Sequence, residues 1–200
     1  MRVVLLAGEG KSFSAGLDRS EFANLPVMAS APDALDLIEG FQGGFSWFSR
    51  PDLVSIAVVQ GHAIGAGFQL ALACDLRVAA EGTVFAMAET TLGIVPDLTG
   101  THPLVAAVGL PRALEWCLTG RRVDAREALA AGLLNAVVPL QDLQAEGERL
   151  AAAVLASPRD AVIETKALLQ GAGSRTPPEQ WKAEREAQVR RLRDLAGLGE

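Results

Sequence analysis

The chain has 200 residues, of which 50% are hydrophobic and 21% are charged. This length and composition suit one packed domain and exclude a disordered chain. Lys and Arg number 18 against 24 Asp and Glu, which gives a formal net charge of −6 at pH 7. Because the sequence has no basic surplus, neither a nucleic-acid partner nor a membrane-surface partner is expected. Small-molecule chemistry is the better expectation.

The cysteines and histidines do not have the spacing of a metal site or a disulfide framework. Cys74 and Cys117 stand 43 residues apart, and His62 and His102 stand 40 apart. We therefore expect reduced cysteines and no metal ion. No stretch reaches the roughly 18 apolar residues that a membrane span needs, and the first residues lack a signal-peptide cleavage pattern. A cytoplasmic protein is expected.

The first predicted element is a strand over Arg2–Ala7, placed centrally in a parallel sheet because its apolar run is continuous. It ends at the glycine-rich stretch GEGKSFSAG. Asp18–Asn24 is predicted to form one or two helical turns. Leu25–Ala34 carries two prolines and is predicted to be a loop that serves as a lid or pocket wall. A helix over Asp33–Arg50 is closed by Pro51.

A second unit repeats the order of strand, glycine turn and helix. Its strand is predicted over Leu53–Val59, its turn over Gly61–Gly67 and its helix over Phe68–Cys74. Another strand follows over Leu76–Ala79. Consecutive units of this kind predict parallel strands that pack against helices.

The remaining chain changes from short elements to long helices. We expect an extended stretch over Thr83–Phe85, a turn or short helix over Glu89–Leu92, a loop over Ile94–Thr101, helices over Pro103–Val108, Pro111–Leu118 and Asp124–Ala131, a strand over Val137–Val138, and helices over Leu140–Ala156, Arg159–Gly171 and Pro178–Leu195. Asp124 is predicted to cap its helix, and Gly132 to follow the end of that helix. The sequence therefore predicts an α/β core with an all-helical appendage.

Two glycine turns, at Gly16-Leu17 and Gly65-Ala66-Gly67, each join a predicted strand to a helix. Each presents free backbone N–H groups at the positive end of a helix. Neither turn matches a phosphate loop or a dinucleotide-binding pattern, and either one alone is more often a plain packing turn. Together they can direct two N–H donors at one oxygen, which is the arrangement of an oxyanion hole.

Three stretches carry a resemblance to a known family. They are FSAGLD at Phe13–Asp18, GHAIGAGFQLALACD at Gly61–Asp75 and FAMAETTLGIVPDLTGT at Phe85–Thr101. In this order they resemble the enoyl-CoA hydratase/isomerase (crotonase) family, and the resemblance runs through about Pro139.

The resemblance implies an α/β fold with a ββα spiral core. This core, over residues 1–139, would bind acyl-CoA, and residues 140–200 would form a helical trimerisation region in a homotrimer or a dimer of trimers. Coenzyme A would enter as part of the thioester substrate, so no separate cofactor is expected. Family members carry a further strand unit before the first strand, so an N-terminal unit is expected to be missing from this sequence.

The resemblance also assigns site residues. The backbone N–H groups that hold the thioester oxygen map onto Leu17 and Ala66. Family hydratases use two glutamates, and their positions here hold Gln69 and Glu89. Gln69 can position water or substrate but cannot transfer a proton. Asp97 supplies a second carboxylate, as in the dienoyl-CoA isomerases of the family.

Double-bond isomerisation with Glu89 as the acid/base and Asp97 as its partner is therefore the expected function. Buried apolar neighbours at Phe85, Met87 and Leu92 are expected to raise the pKa of Glu89. The alternatives are a 2-enoyl-CoA hydratase and a non-catalytic acyl-CoA-binding protein. The alternative role for Asp97 is to cap a helix rather than to take part in catalysis. Lys166 is expected to be solvated rather than bound to a CoA phosphate.

Overall fold

Buried apolar runs form a parallel sheet in the computed structural model, which describes residues 2–18, 20, 30 and 32–198. Within these residues the sheet has four strands, in the order β1, β2, β4 and β7. They span Arg2–Ala7, Leu53–Val59, Leu76–Ala80 and Ala136–Val138. Every residue of β2 is buried, as expected for a parallel strand covered on both faces.

The predicted central position of β1 is wrong for the described part of the chain. There β1 pairs with β2 on one side only and forms an edge of the sheet. Its residues are exposed or half-buried, whereas those of β2 are buried throughout. A continuous apolar run identifies a strand that is covered on its faces, but it does not say how many neighbours the strand has.

A second, smaller sheet lies among the described residues and contains β3, β5 and β6. These strands span His62–Ile64, Val84–Ala86 and Val123–Asp124. β3 runs parallel to β5, and β5 runs antiparallel to β6. β3 lies inside the segment predicted as a plain turn, so that prediction is wrong for its first half. Long-range pairing with β5 makes the segment extended despite its glycines.

The described helices lie close to their predicted positions. They are α1 (Ala34–Ser46), α2 (Ala66–Ala73), α3 (Thr101–Val108), α4 (Leu110–Thr119), α5 (Ala125–Ala130), α6 (Leu143–Leu155), α7 (Arg159–Ala172) and α8 (Pro177–Leu195). Short 3₁₀ helices cover Trp47–Ser49, Glu89–Leu92 and Leu140–Asp142. The Asp124 side chain accepts a hydrogen bond from Glu127 N and caps α5, as predicted. The predicted turns at Asp18–Asn24 and most of the predicted loop at Leu25–Ala34 lie outside the described residues.

Apolar residues cover both faces of the larger sheet. Ala57 and Val59 of β2 join the cluster that contains α2, whereas Ile56 and Val58 join the cluster that contains Leu143 of α6. This division follows the alternation of side chains along a strand. Helix α2 is thereby held against the sheet, with its Phe68 and Ala71 fully buried.

Lys166 of α7 is buried, so the prediction of a solvated lysine is wrong. Its Nζ donates to Phe48 O at 3.1 Å, Leu53 O at 2.6 Å and Asp75 Oδ2 at 2.8 Å. The same Asp75 oxygen accepts hydrogen bonds from the backbone N and the hydroxyl of Ser55. Because a buried ammonium group needs acceptors in place of water, this cluster fastens α7 to the sheet.

The helices after β7 make two kinds of contact. α6 packs on β1, β2 and β4, whereas α7 and α8 pack on each other. The division at residue 139 into a core and a trimerisation region stays a prediction. Among the helices that the structure describes, none is both long and apolar enough to cross a membrane.

Candidate active site

The fold brings the two glycine turns together. The loop after β1 runs beside β3, where Ile64 N donates to Ser14 O at 3.0 Å. Gly16 has a φ of +94°, and a Cβ atom there would lie 2.6 Å from Ile64 O and 3.6 Å from Ala66 N. Only glycine fits such a close approach at positive φ. The turn that carries Leu17 therefore lies against the turn that carries Ala66.

The two predicted N–H donors remain available at this junction. Ala66 is the first residue of α2, and its N–H has no hydrogen-bond acceptor among the described residues. No hydrogen bond within the described part of the chain uses the N–H of Leu17 either. The positive end of the α2 dipole adds to the attraction for an anionic oxygen.

Glu89 begins the 3₁₀ helix that follows β5, directly beside the second glycine turn. Gly65 N donates to Ala86 O at 2.8 Å, and a Cβ atom on Gly65 would lie 3.4 Å from Glu89 Oε1. The Glu89 side chain is only 5% exposed. Its Oε1 accepts a hydrogen bond from Gln69 Nε2 at 2.6 Å, while its buried Oε2 has no partner among the described residues.

Burial raises the pKa of the Glu89 carboxyl above its ordinary value of 4.5, and the negative charge of Asp97 adds to this effect. The backbone N–H of Glu89 and, to a smaller extent, the hydrogen bond from Gln69 act in the opposite direction, because both stabilise the ionised form. Glu89 therefore has the raised pKa that its apolar surroundings predicted. Phe85 and Met87 are fully buried there, whereas Leu92 is 55% exposed and contributes little to this burial.

Gln69 is fully buried on α2, and hydrogen bonds fix both ends of its amide. Its Oε1 accepts from Leu98 N at 2.8 Å and Gly100 N at 3.3 Å, while its Nε2 donates to Glu89. A Cβ atom on Gly100 would lie 2.7 Å from Gln69 Cγ, so the missing side chain makes room for Gln69. Neither Leu98 nor Gly100 was among the predicted site residues, and the glycine of the DLTG stretch is the sequence signal that points to this contact.

Asp97 lies in the loop before α3 and is half-buried. It does not cap α3, which begins at Thr101 after Gly100 without a side-chain cap. The capping alternative is therefore wrong. The Asp97 charge lies near enough to Glu89 to raise its pKa, and the Asp97 backbone oxygen accepts from Gln42 Nε2 of α1 at 2.7 Å. Gln42 was not among the predicted site residues either, because no local pattern links α1 to this loop.

The structure thus brings all five predicted site residues into one region. A separate cleft of about 620 Å³ lies between α7 and the amino ends of β2 and β4, and none of the five lines it. Within the described residues, no group of three or more His, Cys, Asp or Glu side chains is arranged to hold a metal ion. What the region can offer is one buried carboxylate beside two free N–H groups.

The sequence of this chain is similar to those of known proteins. Residues 1–194 match the family model described as "Enoyl-CoA hydratase/isomerase". The Bacillus subtilis protein named "Putative enoyl-CoA hydratase/isomerase YngF" is 39% identical over 167 residues, which are 83% of this chain and 63% of that protein. The "Carnitinyl-CoA dehydratase" of Citrobacter koseri is 40% identical over 183 residues, 90% of this chain and 67% of that protein.

A solved structure matches nearly the whole chain. It is described as a "putative enoyl-CoA hydratase" from Thermobifida fusca YX "in complex with acetoacetyl-CoA", and it matches with a TM-score of 0.92 and 44% identity over 96% of this chain and 78% of that one. This likeness confirms the predicted fold class. The first curated relatives are longer proteins, of which this chain spans 63%, 59% and 56%.

Proposed function

The chain belongs to the enoyl-CoA hydratase/isomerase family, and we propose that it is an enzyme that moves a carbon–carbon double bond in an enoyl-CoA or dienoyl-CoA thioester. One observation carries the proposal. A buried carboxylate, Glu89, has one oxygen held by Gln69 and the other without a partner among the described residues. This carboxylate adjoins the turn that presents the N–H group of Ala66, and the turn of Leu17 packs against that turn.

The two N–H groups provide the electrostatic part of the mechanism. Removing a proton from C2 of a 3-enoyl thioester makes an enolate, whose negative charge collects on the thioester oxygen. Donors from Leu17 and Ala66 hold that oxygen, and they gain strength as the charge develops. Each such donor typically stabilises a transition state by about 2.7–4 kcal/mol.

Glu89 provides the proton transfer. Its free Oε2 takes the proton from C2 and returns it to C4, so the double bond moves from C3–C4 to C2–C3 and the mass is unchanged. Because burial raises the pKa of this carboxyl, Glu89 is a stronger base than a solvated glutamate and holds the proton long enough to return it. Asp97 supplies a second carboxylate for dienoyl substrates, in which the proton is removed and returned at more widely separated carbons.

Gln69 favours isomerisation over hydration. Adding water across a double bond is easiest with two groups that exchange protons, and Gln69 cannot ionise. Its Oε1 already accepts two backbone hydrogen bonds, so only one amide hydrogen is left to hold a water molecule. Hydration of a 2-enoyl-CoA remains the second candidate, because relatives carry the names enoyl-CoA hydratase and carnitinyl-CoA dehydratase.

Two further features belong to the proposal. Coenzyme A enters as part of the substrate, which the acetoacetyl-CoA bound to the Thermobifida protein supports. The chain assembles as a homotrimer or a dimer of trimers through residues 140–200, and exposed Leu169, Trp181 and Leu192 in α7 and α8 support this assembly. Light scattering during size-exclusion chromatography measures the number of subunits.

The decisive experiment incubates the purified chain with a 3-enoyl-CoA and follows the absorbance of the conjugated 2-enoyl thioester. Mass spectrometry of the product detects added water. Conjugation at unchanged mass supports isomerisation, and a gain of one water supports hydration. Binding of the ester without either product would instead favour the non-catalytic acyl-CoA-binding protein.

Two substitutions assign the carboxylates. Glu89→Gln should lower turnover by roughly 10²- to 10⁴-fold, the usual contribution of a general acid/base. Glu81→Gln, the same change at an exposed position, is the matched control and should leave turnover unchanged. Asp97→Asn should strongly reduce isomerisation of a dienoyl-CoA while sparing any hydration. Equal turnover in the Glu89 and Glu81 variants would contradict the assignment of Glu89.

A further inference from the structure

A continuous chain of hydrogen bonds runs from the helix α1 to the free carboxylate. Gln42 Nε2 donates to Asp97 O at 2.7 Å. The N–H of the same peptide unit, at Leu98, donates to Gln69 Oε1 at 2.8 Å. Gln69 Nε2 then donates to Glu89 Oε1 at 2.6 Å. Three amide groups are thus connected in series and end on one carboxylate oxygen.

All the donors in this chain point toward Glu89. At the peptide unit and at Gln69, the carbonyl accepts on the side of Gln42 and the N–H donates on the side of Glu89, so the amide dipoles are aligned. Aligned hydrogen bonds polarise one another and strengthen by about 10–30% per bond in a condensed phase. The last bond ends on a carboxyl oxygen, and this bond is strongest when Glu89 is ionised.

We propose that Gln42 is a positioning residue for Glu89. By holding the Asp97–Leu98 peptide unit, Gln42 fixes the Gln69 amide, commits Glu89 Oε1 to that amide and leaves Oε2 as the reacting oxygen. The inference rests on the proposed function, in which Glu89 transfers the proton. It assigns a role to a residue on α1, outside the glycine turns and the two acidic positions.

The loop itself shows why an external anchor matters. Thr99 has a φ of +67°, a strained value for a residue with a branched side chain, and such strain persists only where surrounding contacts enforce it. Without Gln42, the Asp97 carbonyl loses its hydrogen-bond donor, and the Asp97–Leu98 peptide unit is no longer held from α1. Gln69 Oε1 then depends on the bonds from Leu98 N, which belongs to that peptide unit, and from Gly100 N, which is longer at 3.3 Å. Both carboxylates of the site would then lose their fixed spacing, because Asp97 belongs to the same peptide unit.

The sign of the pH effect follows from the groups that face Glu89. Asp97, from the loop before α3, opposes ionisation of Glu89, and the thiol of Cys117, on α4, interacts electrostatically with the same carboxyl. Gln69 is the side chain that favours ionisation. Weakening the chain that holds Gln69 therefore raises the pKa of Glu89 further and moves the acidic limb of the pH–rate profile to higher pH.

Gln42→Met tests the inference, because methionine keeps the length of the side chain and removes the donor. Gln170→Met is the matched control, since Gln170 Nε2 also donates to a backbone carbonyl, Ser49 O, at 2.9 Å, and neither residue belongs to the hydrogen-bond chain that ends on Glu89. We expect Gln42→Met to lower kcat about tenfold or more with little change in KM, and to shift the acidic limb of kcat/KM upward. A profile and kcat like those of Gln170→Met would overturn the inference.

A direct titration separates this inference from the proposed function. Side-chain carboxyl ¹³C labelling of glutamate lets NMR follow Glu89, whose signal is identified by its loss in Glu89→Gln. If the wild-type chain turns over neither a 3-enoyl-CoA nor a 2-enoyl-CoA, the proposed function fails. The Glu89 signal still decides the inference, because it must titrate at higher pH in Gln42→Met than in wild type and in Gln170→Met. Identical titration in all three would refute the role of Gln42.

Discussion

Gln69→Glu tests whether the amide at position 69 is what favours isomerisation over hydration at this site. The change is nearly isosteric and places a second carboxylate in contact with Glu89, at the 2.6 Å separation that now joins Gln69 Nε2 and Glu89 Oε1. Two full charges at that separation repel by about 6 kcal/mol at an effective dielectric constant of about 20. The pair must therefore retain one proton at neutral pH.

The structure also indicates where that proton resides. Leu98 N and Gly100 N donate to the oxygen of residue 69, so they stabilise the introduced carboxylate in its ionised form. Glu89 then carries the proton. The variant holds one base and one acid, the two groups that addition of water requires, while Glu89 loses its ability to remove a proton from C2.

We therefore expect Gln69→Glu to raise hydration of a 2-enoyl-CoA by about 10²-fold or more and to lower isomerisation of a 3-enoyl-CoA at pH 7. Product mass and conjugation, measured on the same samples, follow both reactions. Gln144→Glu is the matched control, because Gln144 donates to Glu148 at 2.9 Å in an exposed pair on α6. If Gln69→Glu keeps full isomerase activity at pH 7 and gains no hydration, the reasoning about the proton is refuted.

Two further predictions concern the buried charges. Lys166→Met should lower the free energy of unfolding by about 3–5 kcal/mol, because it leaves the Asp75 carboxylate without its buried cation. Urea denaturation measures this, and Lys182→Met, at a lysine whose side chain is 72% exposed, should cost no more than about 1 kcal/mol. The raised pKa of Glu89 means that the folded chain binds the proton more tightly than the unfolded chain, so Glu89 costs stability as pH rises from 4.5 through its raised pKa. The stability of Glu89→Gln relative to wild type should therefore increase between pH 4.5 and pH 7, and a pH-independent difference would contradict this.

Local patterns predicted most of the secondary structure. The apolar run of β2 and the capped helix α5 carry their signals within a few residues, since burial periodicity and helix capping act over short separations. The same holds for the turn at Gly65, whose positive φ favours glycine. Glu89 and Gln69 became candidate residues through their place in linked motifs, because an isolated carboxylate or amide carries no such signal.

These local patterns did not predict contacts between parts of the chain that are distant in sequence. Lys166 and Asp75 are 91 residues apart in sequence, and a lone lysine on a helix gives no sign that it is buried. The pairing of β3 with β5 and the bond from Gln42 to Asp97 are of the same kind. Each depends on how the elements pack, which the spacing of residues within one element does not determine.

The hydrogen bonds of Gln69 give this side chain a structural role in the site. With both ends of its amide hydrogen-bonded, Gln69 links Glu89 to the loop of Asp97, and under the proposed function these two carboxylates are the groups that move protons. The peptide unit that follows Asp97 is held at both its oxygen, by Gln42, and its N–H, by Gln69, while the Asp97 carboxylate makes no hydrogen bond among the described residues. Under the proposed mechanism, changes in this loop should therefore alter the spacing of the two carboxylates, and with it the distance over which a proton can be carried along the acyl chain, while the N–H donors of Leu17 and Ala66 stay in place.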